Sequence, residues 1–264
     1  MNTIDLTGKV AVVTGGAGIL GKEFCRVLSI AGARVALLDI SEEIVQRAAE
    51  EIGPNIRGFA CDVSNKLSVE SAVKGVIETY GQIDILFNNA ASKSANLEEF
   101  FKPFEQYEIS TWREVMSVNI DGMFLMAQSV GRQMIIQGGG AIIQTSSIYG
   151  LLGADKRIYK GSEYLGMEIN TPAVYSASKA AVIGLTKWLA TYWGENNIRV
   201  NCLVPGGVAS GQNRLFEENY SARVPMGRMA KANEIASTAL FLSSSLSDYI
   251  TGQVICVDGG LTAW

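Results

Sequence analysis

Val10-Ala11-Val12-Val13-Thr14-Gly15-Gly16-Ala17-Gly18-Ile19-Leu20-Gly21 opens the organised part of the chain. Four apolar residues in a row read as a short buried strand, and the pattern after the glycines turns helical through about Ala31. Gly15, Gly18 and Gly21 let the backbone turn tightly, approach a pyrophosphate and pack helix on strand; the helix N-terminus at Ile19 and Leu20 attracts negative charge. Glycine turns also arise for steric reasons alone. The strand before and the helix after are what favour the dinucleotide reading.

The same alternation continues downstream. Arg34–Asp39 repeats the strand signal, Glu42–Ile52 the helix, Ile56–Cys61 the strand and Leu67–Tyr80 the helix. Strand patterns at Ile83–Phe87, Ala141–Thr145, Ile198–Val204 and Val254–Val257 interleave with helical ones at Thr111–Ile136, Ala173–Trp193 and Ala232–Leu242. Continuous apolar strands alternating with helices predict an α/β, doubly wound, mostly parallel sheet covered on both faces. No repeat or linker divides the 264 residues, so one domain over 1–264 is expected. Asp39 closes the second strand. A carboxylate there can accept both ribose hydroxyls of an adenosine and repel a 2′-phosphate, which favours NAD over NADP; it is also a plain turn residue ahead of a Ser41 helix cap. Asp62-Val63, after the third strand, can face the adenine, or Asp62 can simply form the turn.

Composition narrows the classes. With 48% apolar and 18% charged residues the chain has the profile of a soluble globular protein, and a net charge of −4 gives no sign of a nucleic-acid or anionic-membrane partner. No apolar run approaches the roughly 20 residues that span a bilayer. Met1–Lys9 does not read as a signal peptide, so Cys25, Cys61, Cys202 and Cys256 are expected to be buried and reduced in the cytoplasm. Histidine is absent, and cysteine supplies no metal cluster.

An acid/base must therefore come from elsewhere. Val174-Tyr175-Ser176-Ala177-Ser178-Lys179-Ala180 puts a tyrosine and a lysine on one helix face, with Thr171 as a cap and Pro172 in the first turn. A free phenol has a pKa of about 10, and a neighbouring ammonium and the helix N-terminus both favour its phenolate. By itself the spacing is common, and an amphipathic helix explains it equally well.

The motifs Thr14–Gly21, Asn88-Asn89-Ala90-Ala91, Asn119, Ser146-Ser147, Tyr175–Lys179, Pro205-Gly206 and Asp258-Gly259-Gly260 follow the order seen in short-chain dehydrogenases/reductases, which the whole chain resembles. The resemblance implies a single-domain Rossmann-type fold with about seven strands and a catalytic tetrad of Asn119, Ser147, Tyr175 and Lys179. Tyr175 would transfer the proton, Ser147 would bond the reacting oxygen, Lys179 would lower the tyrosine pKa and bind the nicotinamide ribose, and Asn119 would hold a relay water. Asn88, Asn89 and Ala90 would support the adenosine side, while Pro205, Gly206, Val208 and Ser210 would shape the nicotinamide pocket. In the family, the helices at Thr111–Ile136 and Ala173–Trp193 form a dimer interface, and Leu261–Trp264 helps tetramers form, so a homodimer or homotetramer is expected.

Four features depart from the common pattern. Ile19 stands where a middle glycine is usual, Ala91 stands where the Asn-Asn-Ala-Gly motif places glycine, Ser92–Ser110 is long and aromatic-rich, and Ser147 lies 28 residues before Tyr175, about twice the usual gap. The extra segment, roughly 151–171, would sit on the substrate side, and its Arg157 could anchor an anionic group. The long insertion, the Gly15-x-x-Gly18-x-x-Gly21 loop and Pro225-Met226-Gly227-Arg228-Met229 together resemble a subgroup of bacterial surface-sugar biosynthesis, implying a sugar or sugar phosphate. The expected activity is NAD(P)-dependent interconversion of a secondary alcohol and a ketone. A redox-neutral sugar-nucleotide epimerase or dehydratase and a non-catalytic NAD-binding protein stand as alternatives.

Overall fold

Strands buried on both sides must alternate their side chains between two cores. In the computed structural model, which describes residues 4–264 except residue 165, they do so. β1 (Val10–Thr14) leads into α1 (Ile19–Ile30), β2 (Arg34–Asp39), α2 (Glu42–Ile52), β3 (Ile56–Ala60), α3 (Lys66–Tyr80) and β4 (Ile85–Asn88). Ala11, Val13, Val35, Leu37, Phe87 and Ile143 pack with α1 and α2, whereas Val10, Val12, Ala36, Leu38, Leu86 and Ile142 pack on the other face. Local chemistry sets the helix ends: the Asn65 side chain accepts from the Leu67 and Ser68 N–H groups to start α3, and Gly81 in the left-handed region stops it.

The second half runs through α4 (Leu97–Phe100), α5 (Ile109–Met116), a π-turn at Ser117–Asp121, α6 (Gly122–Gln137) and β5 (Gly140–Thr145). It continues with a hairpin of β6 (Glu163–Tyr164) and β7 (Met167–Glu168), then α7 (Ala173–Tyr192) and β8 (Ile198–Pro205). It ends with α8 (Arg214–Ser221), α9 (Ala232–Ser243) and β9 (Val254–Val257). The seven-stranded sheet has the order β3-β2-β1-β4-β5-β8-β9, and every pairing within it is parallel. The chain winds outward from β1 in one direction and from β4 in the other, which opens a crevice beyond the C-terminal ends of those two strands. α9 joins α1 on one face, and α3, α6 and α7 cover the other. None of the described helices is long and apolar enough to cross a membrane.

Four expectations need correction. The helix expected over Thr111–Ile136 is interrupted by the π-turn that carries Asn119. Thr171 does not cap α7: Pro172 occupies the cap position, and the Thr171 hydroxyl bonds the Tyr159 hydroxyl of the inserted segment instead. Cys256 is exposed because its strand lies at the sheet edge, while Cys25, Cys61 and Cys202 are buried free thiols. Finally, α8, started by the Asn213 side chain, was not foreseen in the stretch after Gly211.

Candidate active site

The glycine loop follows from steric necessity. Gly15 has φ +61°, and a Cβ on it would lie 2.9 Å from Ala90 Cα. A Cβ on Gly21 would lie 2.0 Å from the Gly15 carbonyl oxygen, so only glycine lets α1 start this close to the loop. Gly18 caps α1 without a side chain, and the N–H groups of Ile19, Leu20 and Gly21 find no acceptor among the described residues. Such a set of free donors at a helix start fits the pyrophosphate of a dinucleotide.

Neighbouring strand ends brace this loop. Thr14 Oγ1 accepts from the Asn89 and Ala90 N–H groups at 2.9 and 3.0 Å, and Asn89 Nδ2 donates to the Thr14 carbonyl at 3.1 Å. Asn88 is buried and donates to the Met123 carbonyl at 2.7 Å. Asp39 reaches back across the crevice: its Oδ2 accepts from Ala17 N–H at 3.1 Å and its Oδ1 from Ile40 N–H at 2.9 Å. Asp62 forms the turn after β3, accepting from both the N–H and the hydroxyl of Ser64, while Val63 is buried against Gly122.

The catalytic candidates converge from three elements. Ser147 follows β5, and Tyr175 and Lys179 stand one turn apart on α7. Lys179 is buried, its Nζ donates to the Thr145 carbonyl at 3.0 Å, and it lies 5.8 Å from the centre of the Tyr175 ring. Burial depresses the Lys179 ammonium to about 8, from an ordinary 10.5. It also pushes the Tyr175 phenol up, and the neighbouring Ser147 hydroxyl offsets part of that rise. Desolvation is the largest influence on the phenol, and Lys179, 5.8 Å from the ring centre, does not offset it. Ser146 is the buried neighbour: its hydroxyl donates to the Lys179 carbonyl at 2.6 Å and fixes the strand end against the helix. Asn119 is fully buried; Oδ1 accepts from Ser92 N–H at 2.7 Å and Nδ2 donates to Ser178 Oγ at 3.3 Å. Its side chain is therefore occupied in holding α7 to the loop after β4.

A cavity of about 690 Å³ opens on this cluster and is lined by Ile19, Ser147, Tyr175, Gly206, Val208 and Ser210 among others. Pro205 ends the buried β8, and a Cβ on Gly206 would lie 2.8 Å from Asp258 Cα. Ser210 N–H donates to Gln212 Oε1 at 2.7 Å. Tyr159, Asn170 and Thr171, all in the 151–171 segment expected on the substrate side, line it as well, as do Tyr149 and Tyr220, for which the motifs carry no site role. Tyr149 is signalled only by its closeness in sequence to Ser147; Tyr220 comes from α8. Phe100 and Phe101, from the aromatic-rich stretch, both line the cavity and join a small core with Val115 and Val174.

Arg157 is not brought to this cavity. Its Nε and Nη2 bond Asp155 at 2.9 Å, and it lines an adjoining cavity of about 770 Å³. Among the described residues no group of His, Cys, Asp or Glu side chains could hold a metal ion.

Comparison with known proteins agrees with this geometry. A family model described as enoyl-(acyl carrier protein) reductase matches residues 15–262. The galactitol 2-dehydrogenase (L-tagatose-forming) of Cereibacter sphaeroides is 35% identical over 98% of this chain and 97% of its own. The NAD-dependent glycerol dehydrogenase of Listeria innocua is 35% identical over 98% and 95%. A crystal structure of a short chain dehydrogenase from Leptospira borgpetersenii with bound NAD+ superposes with a TM-score of 0.84 at 32% identity, covering 98% of this chain and 94% of that one.

Proposed function

Because this chain belongs to the short-chain dehydrogenases/reductases, we propose that it interconverts a secondary alcohol and a ketone on a polyol or related sugar, with NAD as the hydride partner. The observation that carries this reading is that Ser147 and Tyr175 line one cavity together with Gly206, Val208 and Ser210, with the buried Lys179 beside the Tyr175 ring. Names of relatives that act on galactitol and glycerol support a polyhydroxylated substrate. They favour polyols over the surface-sugar subgroup.

When bound, the nicotinamide accepts a hydride from the alcohol carbon or returns one to the ketone. The protein's residues handle the oxygen. In oxidation, Ser147 and Tyr175 bond the substrate hydroxyl, and Tyr175 takes its proton as the carbonyl forms. Lys179, charged below about pH 8, offers positive charge beside the phenol and a donor toward the ribose. Asn119 keeps α7 in register with the loop after β4; a relay water linking Lys179 to solvent there is what the family resemblance implies. Asn89, Ala90 and Thr14 hold the crevice floor, and the free N–H groups at Ile19, Leu20 and Gly21 would take the phosphates. Asp62 and Val63 would border the adenine.

Asp39 supports NAD over NADP, because its carboxylate faces the glycine loop where a 2′-phosphate would add like charge. Exposed Phe124, Ile136, Trp188 and Tyr192 on α6 and α7 support a homodimer or homotetramer. Buried free thiols support a reducing, cytoplasmic setting.

The test is a substrate panel of polyols, sugar phosphates and acyl thioesters with both dinucleotides in both redox states, read by nicotinamide absorbance. Turnover confined to the thioesters would overturn the polyol reading, and a higher kcat/KM with NADP would overturn the cofactor choice.

A further inference from the structure

The inserted segment builds two cavities, and the reaction needs only one. The catalytic cavity has nearly balanced walls, with Lys93 and Glu163 its charged members. The adjoining cavity, about 770 Å³, is lined by four cations, Lys102, Lys156, Arg157 and Lys160, against two carboxylates, Glu105 and Glu168. The two meet along Phe101, Tyr159, Ile169, Asn170, Thr171 and Pro172, so a ligand seated at Tyr175 lies beside the basic chamber.

Pairing takes up part of that charge and leaves Lys156 and Lys160 outside it. Lys102 is bonded to Glu99 at 2.6 Å, and Asp155 is held from two sides, by Arg157 and by Arg223. One carboxylate between two guanidiniums leaves a net positive charge there. Arg157 spends Nε and Nη2 on Asp155, and its Nη1 makes no hydrogen bond among the described residues. Lys156 and Lys160 form no ion pair among the described residues. Both are exposed, so their ammonium groups are open to a ligand in the chamber.

We propose that this second chamber binds the phosphate of a phosphorylated polyol whose hydroxyl-bearing chain reaches Tyr175. The proposal rests on the alcohol-oxidation reading and narrows its substrate to a phosphate monoester. A phosphate carries between one and two negative charges at neutral pH and three acceptor oxygens, which several lysines and a guanidinium edge can share. A neutral polyol would leave these cations facing water, with nothing gained from their clustering.

The experiment compares a neutral polyol with its terminal phosphate ester, for instance glycerol with glycerol 3-phosphate and galactitol with galactitol 1-phosphate. The phosphate ester is expected to have the higher kcat/KM, by roughly ten-fold or more, an advantage that shrinks as salt is raised. In Lys156→Gln/Lys160→Gln that ratio should fall toward one, and Lys156→Arg/Lys160→Arg should keep it. A phosphate ester no better than the neutral polyol, or a ratio unchanged by the glutamine pair, overturns the proposal. Should no polyol of either kind turn over, the alcohol reading fails separately, and calorimetry with inorganic phosphate judges the chamber. Saturable phosphate binding, weakened about ten-fold in the glutamine pair, upholds it; no binding, or equal binding in both proteins, overturns it.

Discussion

One side of the crevice is framed by β1 and β4, buried throughout and locked by hydrogen bonds between Thr14, Asn89 and Ala90. The facing side consists of short turns, a hairpin of two-residue strands, and tyrosines joined through their hydroxyls. The first has no spare room: a single Cβ on Gly21 would collide with backbone. The second encloses two chambers and leaves most of its charged residues in water. A dinucleotide has the same shape in every reaction, so a rigid cradle suits it. Substrates differ, and a wall of loops can change without unfolding the sheet.

The largest expected effect lies where the two sides join. Tyr175→Phe should lower kcat about 10³-fold, near 4 kcal/mol of barrier, while calorimetry still detects dinucleotide binding. In the wild type, oxidation should climb as the pH rises, because a phenol held above its ordinary value must lose its proton to act. A Phe variant with ordinary turnover would remove the tyrosine from the chemistry altogether.

Next comes Gly21→Ala, which forces a methyl onto the Gly15 carbonyl and should cost about 3 kcal/mol in thermal melts, with loss of NAD affinity. An unaffected melt would mean that the cradle is softer than its packing implies.

Lys179→Met should lower activity yet stabilise the fold at pH 7, by up to roughly 3 kcal/mol. Between about 8 and 10.5 the folded lysine binds fewer protons than the unfolded one. Burying its charge therefore costs stability below about pH 8, and that cost fades as the pH rises toward 10.5. Melts of the two proteins should converge at alkaline pH; a constant gap would mean that burial is not the cause.

The smallest effect belongs to the loop side. Tyr159→Phe removes the hydroxyl shared with Tyr149 and Thr171 and should cost only about 1 kcal/mol, with the larger change in substrate discrimination. A loss matching that of Gly21→Ala would erase the distinction between the two sides.

That distinction also governs what the sequence reveals. β1 and β2 could be placed to within a residue because runs such as Val10–Val13 have one physical explanation, burial on both faces. Tyr175 and Lys179 were legible because helical spacing is local. Arg157 was not, since its reach depends on Asp155 and on Arg223, far along the chain. The same holds for Tyr220, whose hydroxyl accepts from Gly207 N–H across the unforeseen α8. Burial of Lys179 was likewise invisible, because a lysine four residues from a tyrosine gives no hint that strand β5 will close over it.

The π-turn at Ser117–Asp121 has one more consequence. An α-helix turns about 100° per residue, so a single extra residue swings everything downstream by that angle. Val115 upstream packs toward Val174, whereas Met126, Val130 and Met134 downstream pack onto the sheet. One helix thereby serves two cores that a straight rod could not face at once. Asn119 apart, this stretch should accept many changes of side chain but no change of length: removing one residue would rewind the helix and strip one of the two cores of its cover.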